Sequence, residues 1–185
     1  MERYLVIIVS LTAISLVTAF GSLYRAWLPV IRQAKPESTI GYTLKHPLHT
    51  VHGMSKQVSS RLVLSEDGKE IQKVVVSVPV RSFDSGNRRR DRDMLKVTDA
   101  DRYPEVTFSS SQISERDGML AVTGQLTFHG ISKDIQFVAQ SQWKGEELVV
   151  DGGFEISLEA YSIERPSILM MKVKDNLQIR FHMVY

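Results

Sequence analysis

Residues 120–128 read Leu-Ala-Val-Thr-Gly-Gln-Leu-Thr-Phe, and every second position, starting from Leu120, carries an apolar side chain or glycine. A period of two places alternate side chains on opposite faces of a β-strand, so that one face is dry and the other is wet. The stretch therefore predicts a strand that covers an apolar interior.

The same alternation recurs along most of the chain. It predicts one short polar helix within residues 87–101 and eight strands, over residues 39–46, 57–65, 70–81, 105–113, 119–128, 133–143, 148–158 and 175–185. So many strands with one apolar face cannot form a flat sheet, because its edges and its apolar face would both stay uncovered. The pattern thus predicts an all-β fold, an eight-stranded antiparallel β-barrel with an apolar interior.

The composition limits the classes of function. The 185 residues include 23 basic and 21 acidic side chains, a formal net charge of +2. This near balance gives no reason to expect nucleic-acid binding. The chain has no cysteine, which excludes disulfides and thiolate zinc sites.

The N-terminal segment is directed to a membrane. No charged residue occurs from Tyr4 to Tyr24, and about 20 apolar residues suffice to span a bilayer. We predict an N-terminal hydrophobic helix in residues 1–25, with a cleaved signal peptide and a retained membrane anchor as equal alternatives and a buried soluble helix as the less favoured one. Residues 26–37 read as a linker, and residues 38–185 as the barrel domain.

Three histidines at positions 46, 49 and 52 form a weak metal motif. On an extended chain His46 and His52 share a face that His49 opposes, and no carboxylate cluster lies nearby to complete a zinc shell. We therefore predict hydrogen-bonded loop histidines and no metal site.

The densest charge run is Arg-Arg-Arg-Asp-Arg-Asp at residues 88–93. We favour a solvated helix face with weak local ion pairs. The alternative is a cationic lip that grips a phosphate head group through guanidinium contacts.

Catalytic motifs are absent from the sequence. There is no nucleophile elbow, no glycine-rich phosphate loop and no metalloprotease spacing of histidine and glutamate. By strand parity His182 faces outward, and His129 lies in a turn. We predict no catalytic residue and no cofactor.

Three segments taken together resemble one family. Residues 85–91 read SGNRRRD, residues 103–110 read YPEVTFSS, and residues 124–133 read GQLTFHGISK. They are similar to the YceI-like family of lipocalin-like barrels, which bind polyisoprenoids and other amphiphiles. The resemblance extends from about Tyr42 to Tyr185, and it departs from the family at Asp93, where many members have histidine. The signature positions that carry it are Asn87, Arg90, Asp91, Tyr103, Pro104, Phe108, Leu126, Thr127, His129, Gly130 and Lys133.

The resemblance implies an exported protein, periplasmic or anchored to the outer side of the cytoplasmic membrane. Our leading hypothesis is non-enzymatic storage or transport of an isoprenoid or similar amphiphilic lipid in the barrel lumen. The alternatives are an enzyme that acts on an isoprenoid or quinone, and a barrel filled by its own side chains that serves as an interaction module. Among the inward positions, Gly124 and Ala139 are expected to add room. The predicted ligand contacts are Val74, Val76, Val78, Phe108, Leu120, Val122, Leu126, Phe137, Leu148, Val150, Phe154, Ile156 and Phe181.

Overall fold

The computed structural model describes residues 29–168 and 170–185. The predicted N-terminal helix and the first three residues of the predicted linker, 26–28, lie outside these residues, so the helix stays a prediction. Within the described ranges, no helix is long and apolar enough to cross a membrane.

One antiparallel sheet dominates the described part of the chain. Its ten strands are β1 (Val30–Gln33), β2 (Thr39–Lys45), β3 (Thr50–Ser55), β4 (Ser59–Leu64), β5 (Ile71–Pro79), β6 (Glu105–Arg116), β7 (Met119–Phe128), β8 (Ile131–Lys144), β9 (Glu147–Ser157) and β12 (Asn176–Val184). The helix α1 (Arg88–Val97) joins β5 to β6, with a short 3-10 turn, Val80–Ser82, before it. A 3-10 turn, Glu159–Tyr161, and a small hairpin of β10 (Ser167–Ile168) and β11 (Met171–Lys172) lie between β9 and β12.

The order of the strands curls the sheet on itself. Neighbours run β1-β4-β5-β6-β7-β8-β9-β12-β2-β3, so that the last strand of the chain lies between β9 and β2. Beyond this ladder, Met54 and Asp84 exchange two backbone hydrogen bonds of 2.9 Å, and the Lys35 amide donates to the Val184 carbonyl at 2.7 Å. These contacts draw the two margins of the sheet around a common interior. The predicted all-β, lipocalin-like fold with one short helix is confirmed.

Within the described residues the sheet has ten strands rather than the eight that we predicted, because β1 and β3 lack the expected apolar alternation. In β3 the buried positions are Val51, Gly53 and Ser55, two of which are too small or polar to register as hydrophobic. A Cβ on Gly53 would lie 2.4 Å from the ring of Tyr42, so glycine is required for this close approach. Strand β1 falls within the segment that we expected to be a linker.

Helix α1 begins where the sequence predicts and ends earlier than residue 101. Asn87 caps the first turn, because its side chain accepts hydrogen bonds from the amides of Arg89 and Arg90. At the other end Thr98 closes the helix, and Asp99 takes a positive φ of 44°. The chain then turns directly into β6. The helix therefore covers one end of the curled sheet, beside the start of β6.

Candidate functional site

An apolar cavity of about 570 Å³ lies inside the curled sheet. Inward side chains of the strands form its wall, as the alternation predicts. Leu148 is the exception among the thirteen predicted contacts, since it is buried but does not line the cavity. It exchanges two backbone hydrogen bonds with Tyr185, whose side chain is on the wall instead. The other predicted contacts all line the cavity: Val74, Val76, Val78, Phe108, Leu120, Val122, Leu126, Phe137, Val150, Phe154, Ile156 and Phe181.

Four phenylalanine rings form one cluster on this wall. The ring centroid of Phe137 lies 5.2 Å from that of Phe154, 5.5 Å from that of Phe108 and 5.7 Å from that of Phe181. Centroid separations of about 4.5–7 Å are typical of favourable aromatic pairs. The expectation that Gly124 adds room is wrong in detail, because the ring of Phe108 fills the space where its Cβ would stand.

One end of the cavity opens to solvent. The wall residues whose side chains are also exposed are His49, Asn87, Arg89, Asp93 and Ser167. They come from the turn between β2 and β3, from α1 and its cap, and from the start of the β10–β11 hairpin. We call this set of five residues the mouth. Its polar character contrasts with the apolar wall behind it.

The charged residues 88–93 serve two different purposes. The Arg90 guanidinium donates to the Ser85 hydroxyl at 2.8 Å and to the Ser85 carbonyl at 2.6 Å. The Asp91 carboxylate accepts from the amide and hydroxyl of the same Ser85. These two residues therefore fasten α1 to the turn that precedes it. Arg89 instead projects into the mouth, so the run is more than the solvated helix face that we favoured.

The remaining signature residues connect the segment after α1 and the turn between β7 and β8 at the same end of the sheet. Tyr103 and His129 meet edge to face at 5.0 Å, and Nδ1 of His129 lies 2.9 Å from the carbonyl oxygen of Tyr161. The Pro104 carbonyl accepts from the Val80 amide at 2.8 Å. Thr127 bonds to Ser132 across the turn between β7 and β8 at 2.8 Å, and Lys133 is exposed. These contacts are structural.

Two of the three histidines are held by separate side-chain hydrogen bonds, while the ring of His49 lies 5.0 Å from that of His46. Nε2 of His46 lies 2.9 Å from the Met171 carbonyl, and its Nδ1 accepts from the Leu48 amide at 3.2 Å. Nδ1 of His52 lies 2.9 Å from the Thr43 hydroxyl, on an exposed face of β3. Across residues 29–168 and 170–185, no three histidine, aspartate or glutamate side chains are grouped so that they could hold a metal ion.

The pKa values of two tyrosines on the wall are raised by their surroundings. Burial raises the pKa of Tyr185 to about 12, although a 2.7 Å hydrogen bond with Ser60 opposes the shift. Burial also raises the pKa of Tyr42, and the nearby Asp91 carboxylate adds to the effect. A phenol is uncharged at neutral pH even at its ordinary pKa, and the raised pKa values extend the uncharged form into alkaline solution.

Several wall residues were not among the predicted contacts. Ile40, Tyr42 and Leu44 alternate along β2 and could have been found by the same period of two. Met94 and Val97 lie three residues apart on α1, a helical spacing that also places them on one face. Residues between β9 and β12 carry no periodic signal, so sequence reasoning had no means of placing them at the mouth.

A curled antiparallel sheet that encloses an apolar cavity with one polar mouth defines a lipocalin-like barrel protein. The family model of the YceI-like domain matches residues 33–185. The chain belongs to the YceI-like family.

Relatives and solved structures agree with this assignment. A UPF0312 protein of Photorhabdus laumondii is 25% identical over 124 residues, which cover 65% of this chain and 64% of that relative. A UPF0312 protein of Vibrio campbellii is 29% identical over 161 residues, which cover 82% of this chain and 84% of the relative.

Two solved structures share the fold. BcnA of Burkholderia cenocepacia superposes with a TM-score of 0.74 at 23% identity, over 82% of this chain and 99% of that one. A polyisoprenoid binding domain from Saccharophagus degradans superposes with a TM-score of 0.66 at 14% identity, over 85% of this chain and 98% of that one.

Proposed function

We propose that this protein binds an isoprenoid or a similar amphiphilic lipid in its cavity, without chemistry, as a storage or transport protein. The observation that carries the proposal is the apolar cavity of about 570 Å³ behind a polar mouth. Small-molecule sites commonly measure about 300–1,000 Å³ and combine an apolar wall with few polar groups. An amphiphile matches this division, with its chain inside and its polar group at the mouth.

The wall favours a long hydrocarbon chain over a compact polar ligand. Burial of each methylene contributes about 0.8 kcal/mol, so a chain of many carbons is held with few directional contacts. The phenylalanine cluster around Phe137 offers flat apolar surface deep in the cavity. Membership of the YceI-like family, and the likeness in fold to a domain described as polyisoprenoid binding, support an isoprenoid as the ligand class.

The arrangement of titratable groups supports binding without catalysis. Nδ1 of His182 and Oδ1 of Asp151 lie 2.7 Å apart, but both side chains are on the outer face of the sheet. Nδ1 of His129 is hydrogen-bonded with the backbone carbonyl of Tyr161. A general base must reach the reacting group within hydrogen-bond distance, and neither of these histidines lines the cavity. His49 does line it, but at the exposed mouth and not in the apolar interior.

The proposed site of action is outside the cytoplasmic membrane. The uncharged stretch from Tyr4 to Tyr24 supports export, either with cleavage or with retention as an anchor. N-terminal sequencing of the protein from membrane and soluble fractions distinguishes these two forms. An intact N-terminus in the soluble cell fraction alone would contradict export.

Native mass spectrometry of the detergent-free protein tests the proposed function. We expect a co-purified hydrophobic molecule that is released unchanged on denaturation, and renewed binding when a long-chain polyprenol is added to the stripped protein. Conversion of the added polyprenol would identify an enzyme instead. Protein that is purified without a bound molecule and binds no added polyprenol would indicate a barrel with another function.

A further inference from the structure

We propose that the mouth docks on a membrane surface rich in anionic lipid, through the apolar tip of the β10–β11 hairpin. The inference rests on the proposed function, because a lipid chain that enters or leaves the cavity must cross from a bilayer. It names a membrane as the partner of the same cavity, and the mouth as the surface of the protein that contacts this membrane.

The hairpin has an apolar tip where a polar one is the rule. Ser167 pairs with Lys172 and Ile168 with Met171, and Met170 lies in the turn between them. Met170 is fully exposed and has a positive φ of 64°. Tight turns favour glycine, asparagine and aspartate at such positions. One exposed methionine alone is ordinary, but it indicates an apolar partner where a second exposed apolar side chain lies beside it.

A second apolar side chain lies at the same edge. Leu48, 58% exposed, is in the turn between β2 and β3. The hairpin is fastened to this turn, because His46 bonds to the Met171 carbonyl and the Lys174 amide donates to the Lys45 carbonyl at 2.8 Å. Leu48 and Met170 are thus presented by two neighbouring turns at one end of the molecule.

These two turns border the mouth of the cavity. Pro166 and Ser167 lead into the hairpin, Val173 follows it, and all three line the cavity. His49, next to Leu48, is on the cavity wall and exposed. A bilayer that covers the apolar tips would therefore lie directly against the opening, which shortens the passage of a lipid chain through water.

The charges around the mouth select an anionic surface. Lys45, Lys172 and Lys174 are exposed beside the two turns. On the other side of the mouth α1 presents the exposed Arg88, Arg89 and Arg92. Apolar side chains flanked by lysine and arginine are the usual composition of elements that bind the membrane interface, and anionic lipid strengthens their binding.

Neighbouring acidic groups are largely engaged within the protein. Glu159 pairs with Arg165 at 2.7 Å, the Asp175 carboxylate accepts from the Glu159 amide at 2.8 Å, and Asp91 is bonded to Ser85. Glu164 is exposed on the segment before the hairpin, and Asp93 is exposed in the mouth itself. The six exposed lysines and arginines around the mouth outnumber these two carboxylates, which leaves the docking face positive.

Because the chain has no cysteine, a single label reports on one site of the full-length protein. We would make Met170→Cys and, at the opposite end of the sheet, Met119→Cys, which is 46% exposed beside the turn between β6 and β7. Each is labelled with an environment-sensitive nitrobenzoxadiazole dye and mixed with vesicles of equimolar phosphatidylcholine and phosphatidylglycerol, or of phosphatidylcholine alone. Since the signal is local, recruitment of the chain through its N-terminal segment does not by itself shift the dye at position 170.

We expect a blue shift of the dye at position 170 with the anionic vesicles, a much smaller shift with the neutral ones, and no shift at position 119. Adding Lys172→Glu and Lys174→Glu to the Met170→Cys chain should remove most of the response. If the emission of the dye at position 170 does not shift with either kind of vesicle, the proposal is overturned, and the apolar tip would then bind a protein partner. A shift at 119 instead, or an equal shift on both vesicles, would also overturn it.

Native mass spectra of the same preparations separate this proposal from the one on which it rests. Bound lipid together with a silent dye at position 170 would end the docking proposal alone. A protein that never retains lipid would end the proposed function, whatever the dye reports.

Discussion

The ring of Phe108 lies against Gly124 on the neighbouring strand. A Cβ at position 124 would stand 2.5 Å from Cζ of Phe108 and 2.5 Å from the carbonyl oxygen of Ser109. The glycine is therefore what allows the ring to lie flat on β7. From there Phe108 reaches Phe137 and joins the aromatic cluster that lines the cavity.

Gly124→Ala should destabilise the protein by about 1–3 kcal/mol, because the ring and the backbone of β6 must both move. Urea unfolding, followed by circular dichroism, measures the change in the free energy of unfolding. The matched control is Gln125→Ala on the exposed face of the same strand, which should stay within about 0.5 kcal/mol of the parent protein. Equal effects of the two substitutions would contradict the close contact.

Phe154→Asp should abolish lipid retention, because it places a carboxylate on the apolar wall beside Phe137. Arg89→Ala should leave binding of the chain largely intact, since this residue is at the mouth. Native mass spectrometry measures the bound fraction for each variant. Val138→Asp is the matched control, as residue 138 is 56% exposed on β8 next to Phe137 in sequence.

Thermal unfolding of the same variants separates loss of binding from loss of fold. A folded Phe154→Asp protein that keeps its lipid would contradict an apolar binding wall. Equal loss in the Phe154 and Arg89 variants would refute the division between a chain-binding interior and a polar mouth.

The period of two placed the long strands correctly because their buried positions are large and apolar. It failed at β1, where Val30 and Ile31 are both exposed and only pairing with β4 defines the strand. It failed at β3 because Gly53 and Ser55 occupy buried positions. In both cases pairing with a neighbouring strand defines the strand. A local sequence pattern does not show which segments pair with each other.

The wall of the site could be predicted, but its mouth could not. Strand parity gives the direction of Val76 or Phe154 without knowledge of the rest of the chain. Placing Arg89, His49 and Ser167 around one opening requires three segments that are remote in sequence to meet at one end of the sheet. The hydrogen bonds between Ser85 and Arg90, which fasten the start of α1, are equally non-periodic.

Gly130→Ala should destabilise more than Gly68→Ala, although both glycines have nearly the same positive φ, 72° and 71°. A Cβ at position 130 would lie 2.4 Å from the ring of Tyr103, whereas nothing lies within 4 Å of one at position 68. The backbone strain, about 1–2 kcal/mol, is common to both, so the difference between the two free energies of unfolding measures the contact with Tyr103. Tyr103→Ala should reduce that difference in a double-mutant cycle. Equal changes in the free energy of unfolding for the two substitutions would show that the ring of Tyr103 moves aside at no cost in stability.

The buried phenol of Tyr185 should make the protein less stable in alkali. Its pKa is raised to about 12 in the folded protein from 10.0, while the unfolded chain keeps the ordinary value. Below about pH 10 the phenol is protonated in both states, and its contribution to stability is fully present. Between about pH 10 and pH 12 the unfolded state loses the proton first, so the free energy of unfolding falls as the pH rises, by up to about 2–3 kcal/mol.

Urea unfolding at a series of pH values from neutral to alkaline measures this decline. Tyr185→Phe is the control: it loses the hydrogen bond to Ser60, worth about 1 kcal/mol, and is less stable at neutral pH. It should nevertheless show a shallower alkaline decline, because its ring has no proton to lose. The lysines and the other tyrosines titrate in both proteins and cancel in the comparison. Parallel declines in the two proteins would mean that Tyr185 ionises as readily in the folded chain as in the unfolded one.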